Sequence, residues 1–248
     1  MKKIVLILAL VLVGNSIEIY AQYTVAMAGG TRESINRIYQ VDEFIKRFDK
    51  GVDYKDDNSY KGTPYNNPSY LPGNIYENNQ LLASDVALRY NAVEDEVEVK
   101  ESLTTPDEDA KVLSKSLEIF VKINGDIFIF APYQGGVENG GYFQILFEGE
   151  NYSLYKKLKK KFIPAKKAST SITKDLPPVF LDRPVYYIIT KKGRYYELPD
   201  SNSKKLKVFG NKQDEIKKYV KENRLDLKDE NDLIRVMKYF DNFKNSKE

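Results

Sequence analysis

The chain has 248 residues, 30% of them charged and 42% hydrophobic, with a formal net charge of +3. That is an ordinary globular composition, long enough for one substantial core and short of a length that suggests several domains. His, Cys and Trp are all absent, which excludes Ser-His-Asp and Cys-His catalysis, a histidine general base, Cys/His zinc and haem ligation, disulfides and a lipid-modified cysteine.

The beginning of the chain reads as a secretory signal. Met1-Lys2-Lys3 is basic, residues 4–13 carry no polar side chain, and Gly14, Asn15 and Ser16 break the run. Ala21 before Gln22 is the expected cleavage point, although Ile19 stands where a small residue is preferred. A ten-residue apolar helix spans about 15 Å, half of a bilayer core, so residues 1–21 are expected to be removed. No later stretch reaches the ~18 apolar residues of a membrane-spanning helix. The mature chain is therefore expected to lack a transmembrane segment and to be exported across the inner membrane, to the periplasm, the outer surface or the medium.

Ile35, Ile38, Tyr39, Phe44, Ile45 and Phe48 recur at three- and four-residue steps and predict a helix over 33–50. Residues 51–80 are rich in Asn, Asp, Gly and Pro, with Tyr54, Tyr60, Tyr65, Tyr70 and Tyr76 five or six apart. They read as a long loop of the kind that is either functional or disordered. Asp53, Asp56, Asp57 and Asn58 offer oxygen ligands but lack EF-hand spacing, so no metal site is expected.

From 71 to 199 the hydrophobic period is two. A short pair is read from Asn74-Ile75-Tyr76 into Leu81-Leu82. Val86, Leu88 and Tyr90 alternate with Asp85, Ala87, Arg89 and Asn91, and Val97 and Val99 alternate with Glu96, Glu98 and Lys100. This is a hairpin with one wet face, on which Glu96 and Glu98 are expected to be solvated. Leu117, Ile119, Val121 and Ile123 form the next inward row, and Asn124-Gly125 suits a type I′ turn. The return strand 127–130 is apolar on both faces and should be central. Residues 142–148 and 152–163 flank Gly149-Glu150-Asn151, and 185–190 and 194–198 flank Lys191-Lys192-Gly193. Consecutive hairpins imply antiparallel pairing in a sandwich or an open, curved sheet.

The C-terminal part is helical. Ser201, Asn202 or Ser203 caps a short turn that Gly210 stops, and Asn211 is read as the cap of a helix carrying Ile216, Tyr219 and Val220. A last helix, capped near Asp229, carries the stripe Leu233, Val236, Met237, Phe240 and Phe243. Packing of that stripe on the sheet is expected over docking to another protein. The predicted fold is α+β and mainly antiparallel β, with an N-terminal helix and a C-terminal segment of two or three helices. Its parts are a signal (1–21), a helix and loop (22–80), a β domain (81–199) and a helical segment (200–248).

Little catalytic chemistry survives inspection. Three Ser-x-x-Lys matches, at Ser153, Ser171 and Ser201, are about what chance gives and lack companion motifs. The Gly-rich stretch 135–141 leads into a strand, whereas a phosphate cradle needs a helix N-terminus, so it reads as a β–β connection. The salient feature is basic: Lys156, Lys157, Lys159, Lys160 and Lys161, followed by Lys166 and Lys167. The default reading is edge-strand protection or intramolecular pairing. The sharper one is a site for an anionic partner such as lipopolysaccharide or an acidic polysaccharide. Charge is also unevenly spread: residues 22–155 carry 12 basic and 22 acidic side chains, and residues 156–248 carry 25 and 13. The two halves could therefore neutralise one another internally, or leave the basic half as the working face.

Gly62-Thr63-Pro64-Tyr65, the hairpin from Leu88-Arg89-Tyr90-Asn91 to Asp95-Glu96-Val97-Glu98-Val99-Lys100, the basic strand 155–163, and Lys217-Lys218-Tyr219-Val220-Lys221-Glu222-Asn223 through Asp232-Leu233-Ile234 to Tyr239-Phe240 together resemble an uncharacterised family of exported Gram-negative bacterial proteins. The resemblance implies export, a β-rich body and a helical tail, and no catalytic residue. The expectation is an exported, non-enzymatic binding or structural component of the cell envelope. It would need no cofactor and no nucleic acid, and its partner would lie in the envelope or outside. The alternatives are a hydrolase using carboxylates or a Ser-Lys pair, and an interaction module for an anionic partner or polysaccharide.

Overall fold

The computed structural model describes residues 45–46, 60–132, 140–168 and 174–245. The segment read as a secretory signal and the Asp-rich stretch 53–58 lie outside these residues, as does most of the helix expected over 33–50. Within that span Ile45–Lys46 forms a short strand, β1, so the expectation of helix is corrected there.

Seven strands follow from β2 (Leu71–Glu77): β3 (Gln80–Asn91), β4 (Glu96–Lys100), β5 (Lys111–Leu113), β6 (Ile119–Ile123), β7 (Asp126–Ala131), β8 (Gly141–Glu148) and β9 (Tyr152–Lys157). After β10 (Lys160–Ile163) and β11 (Val179–Asp182) come β12 (Val185–Thr190) and β13 (Tyr195–Glu197). Eleven strands make one sheet in the order β1-β5-β4-β3-β2-β6-β7-β8-β9-β12-β13, while β10 and β11 pair as a separate ribbon. Every ladder between these described strands is antiparallel, as the hairpin spacing predicts, and an isolated parallel bridge joins Lys61 to Val179 of β11. Asn124 and Gly125 turn β6 into β7 with φ of 48° and 101°, the positive values that a type I′ turn requires. The predicted inward row starts at Ile119. Leu117 precedes the strand and is exposed.

The sheet is rolled. Four inter-strand steps separate β3 from β8, about 19 Å in a flat sheet. Yet the rings of Tyr90 and Tyr142 lie 6.2 Å apart, and Asp95, in the β3–β4 turn, accepts a hydrogen bond from the Tyr142 N–H at 3.0 Å. Rolling encloses a core of Ile75, Leu88, Val97, Val99, Val121 and Phe128, each burial being worth about 1.5–3 kcal/mol.

The second half of the sheet is covered by helices α1 (Asn202–Lys207), α2 (Gln213–Glu222) and α3 (Glu230–Asn245). Ser201 caps α1, accepting from the Lys204 N–H, and Asp229 accepts from the Asp232 N–H at the start of α3. Asn211 is not the cap expected of it: it lies in a 3₁₀ turn, Gly210–Lys212, that leads into α2. Leu233, Val236, Met237 and Phe240 pack with Leu154 of β9 and Ile188 of β12. These four members of the apolar stripe are thus spent on the sheet. Among the described residues no helix is long and apolar enough to cross a membrane.

Candidate functional site

The basic run expected as one strand is broken at Leu158, whose side chain packs against the rolled core. Before the break, β9 lies between β8 and β12. It is no edge strand, and the edge-protection reading is corrected for Lys156 and Lys157. Alternation sends these two neighbours to opposite faces of the sheet. Lys156 pairs with Glu230 of α3 at 2.7 Å, and Glu230 also accepts from the Tyr186 hydroxyl at 3.0 Å. Lys157 is buried, donates to the Gly140 carbonyl and lies 3.5 Å from Asp95. Burial, only partly offset by Asp95, holds its ammonium below the ordinary lysine range. The intramolecular reading therefore describes Lys156 and Lys157.

After the break the lysines belong to the ribbon. Lys160 pairs with Asp182 across it at 2.9 Å. Lys159, Lys161, Lys166, Lys167 and Lys174 are exposed, as are Phe162, Ile163 and Leu176. The ribbon is held at its base by the segment before β2. The Lys61 N–H donates to the Pro178 carbonyl, the Phe180 N–H donates to the Lys61 carbonyl, and Tyr60 meets Phe180 edge to face. Gly62, at φ +83°, is required here, since a Cβ would lie 2.8 Å from the Phe180 carbonyl oxygen.

The supposedly wet face of the β3–β4 hairpin is closed, which corrects the expectation that Glu98 is solvated. Arg89 and Glu98 are both buried and joined at 2.7 Å. Glu98 accepts as well from the Tyr70 hydroxyl at 2.7 Å, and the Arg89 guanidinium is sandwiched between the rings of Tyr65 and Tyr70. Lys100 and Asp107 continue the network. Burial, then the neighbouring Glu98 charge, pushes the Tyr65 hydroxyl up to about 12, and the same causes raise Tyr70 further. Tyr65 and Tyr70, two of the evenly spaced tyrosines, thus form a lid on a buried ion pair.

Two more carboxylates that the sequence did not single out are fully engaged. Asp95 accepts from the Tyr90 hydroxyl at 2.6 Å and faces both Lys157 and Lys115. Gly141, with φ +125°, sits against this pair, and a Cβ there would run into the Asp95 carboxylate and the Lys157 ammonium. Asp241 of α3 accepts from three consecutive N–H groups, those of Glu150, Asn151 and Tyr152, in the β8–β9 turn. The only available signals were an acidic residue in a turn and one late in a helix, and neither is specific.

A cleft of about 420 Å³ opens between the last strands and the helical layer. Its floor is Ile188, Phe209 and Phe240, with Tyr152 and Tyr196 beside them and Thr190, Asn211 and Lys212 at the rim. Among the described residues no cluster of three metal-ligating side chains is present. Of the Ser-x-x-Lys serines, Ser201 is engaged as a helix cap, Ser153 stands in β9, and Ser171 lies outside the described residues, as do 135–139 of the Gly-rich stretch. No family model, no curated protein and no solved structure matches the chain.

Proposed function

We propose that the protein is an exported, non-enzymatic binding component of the cell envelope or its surroundings that engages an anionic polymer through the β10–β11 ribbon. The observation that carries this reading is the separation of the lysine run into two sets. Lys156 and Lys157 are neutralised inside the fold, whereas Lys159, Lys161, Lys166, Lys167 and Lys174 stand exposed on one ribbon. Residues 159–183 carry six lysines and Arg183 against Asp175 and Asp182. Such a local excess is a field that attracts polyanions and is screened within about 8 Å at physiological salt. The resemblance to exported proteins and the secretory signal support the location. Without cysteine, a lipid anchor on a cysteine is excluded.

The carboxylate hydrolase reading receives less support from the geometry. Glu98, Asp95 and Asp241 each accept hydrogen bonds within the fold, and none of them lines the cleft. The test is binding of residues 22–248 to a phosphorylated or sulfated polysaccharide at about 0.15 M salt. Affinity should fall at least tenfold when Lys159, Lys161, Lys166 and Lys167 are changed to Glu. Unchanged affinity would refute the assignment.

A further inference from the structure

We propose that the cleft under the helical layer is a second, independent binding site, for a small amphiphile with an apolar body and an anionic head, of the medium-chain carboxylate class. The volume of about 420 Å³ is in the range of small-molecule sites and holds about a dozen groups the size of a water. The cleft is open rather than a packing void. Ile188, Phe209 and Phe240 are buried at its base, while Tyr196, Gly210 and Asn211 are exposed at its mouth. The base is rigid, because the Phe240 ring packs against Tyr152 at 4.4 Å and against Phe209 at 4.9 Å. Water standing on such a floor finds no hydrogen-bond partner there, so an alkyl or aromatic body replaces it favourably.

The rim sets the head group. Among the described residues the lining holds no acidic side chain, and its one charged residue is Lys212. Lys212 lies 3.4 Å from Glu215 in a partly exposed pair three residues apart, an interaction weak enough for a ligand carboxylate to compete with. Thr190 and Asn211 supply neutral hydrogen-bonding groups beside it. A sugar ring fits this lining less well, because its hydroxyls need polar partners on several sides and the floor offers none.

The absence of tryptophan makes the test simple. Tyr196→Trp and, separately, the exposed-rim variant Asn211→Trp each place a sole tryptophan at the mouth. Both are titrated with octanoate, 1-octanol and propionate, with far-UV circular dichroism confirming the fold. Expected is a saturable emission shift with octanoate, at least fivefold tighter than with octanol or propionate. Lys212→Gln should erase the preference over octanol, whereas charge reversal of the ribbon lysines should leave it intact. No saturable response at either reporter would overturn the site. Equal binding of octanoate and octanol would overturn the anionic head.

Discussion

The Asp241 carboxylate accepts the Asn151 N–H at 2.8 Å across 90 residues of chain. It takes the N–H groups on either side of Asn151 as well, so one buried side chain near the end of α3 satisfies a whole β-turn. Gly149 makes the approach possible, because a Cβ there would run into the Asp241 carboxylate.

Asp241→Ala should cost about 3 kcal/mol, since the hydrogen bonds from three partly buried backbone N–H groups to one charged acceptor are lost together. For a domain of this size that lowers Tm by about 6–12 °C. Gly149→Ala should destabilise through the same contact. The double variant should lose clearly less than the sum, which a thermal double-mutant cycle measures.

The Arg89–Glu98 pair sits under Tyr65 and Tyr70 with almost no solvent access. Glu98→Ala removes the 2.7 Å partner of a buried guanidinium, leaving it only the longer contact to half-exposed Asp107, and should cost about 3–5 kcal/mol in urea unfolding. Arg89→Met with Glu98→Leu should recover most of that loss, because the desolvation penalty disappears along with the pair.

The tyrosines set an alkaline limit. The Tyr65 and Tyr187 hydroxyls ionise near 10 in the unfolded chain and near about 12 in the fold, chiefly because burial favours the neutral form. The folded state therefore holds the protons longer. Their contribution to stability is complete below about pH 10 and is lost as pH rises from 10 to 12. Lys157 acts in the opposite sense at lower pH, since the cost of burying its ammonium is relieved on deprotonation. The urea midpoint should fall between pH 10 and 12, and Tyr65→Phe should reduce the fall.

Gly125 and Gly141 both have positive φ, but only Gly141 is enclosed. Gly125→Ala should cost about 1 kcal/mol, the backbone strain alone. Gly141→Ala adds a collision with the Asp95–Lys157 pair and should cost on the order of 3 kcal/mol. Equal Tm values for the two variants would contradict the packing described for that pair.

Much of the fold was legible because alternation and turn chemistry are local. Asn124-Gly125, the central β7 and the buried stripe of α3 follow from spacing alone. What depends on the roll of the sheet was not legible. Arg89, Glu98 and Lys100 alternate as a solvated face would, and nothing local shows that Tyr65 and Tyr70 return to cover them. The lysine run read as one strand because Leu158 continues its composition, although Leu158 is where the chain leaves the sheet. Lys156 and Lys157 find their acids in α3 and in a turn about 60 residues upstream, pairings that no short-range pattern encodes.

The most direct test of the ribbon assignment compares three forms of residues 22–248 against one soluble polyanion across a salt series. They are the unaltered protein, the ribbon variant with Lys159, Lys161, Lys166 and Lys167 changed to Glu, and a control with the equally exposed Lys204, Lys207, Lys217 and Lys221 changed to Glu. Net charge changes equally in the two variants. If the ribbon is the binding face, its reversal should lower affinity at least tenfold and flatten the salt dependence, while the helix reversal costs less than threefold. Equal losses in the two variants would mean that net charge alone governs binding, and would contradict the assignment.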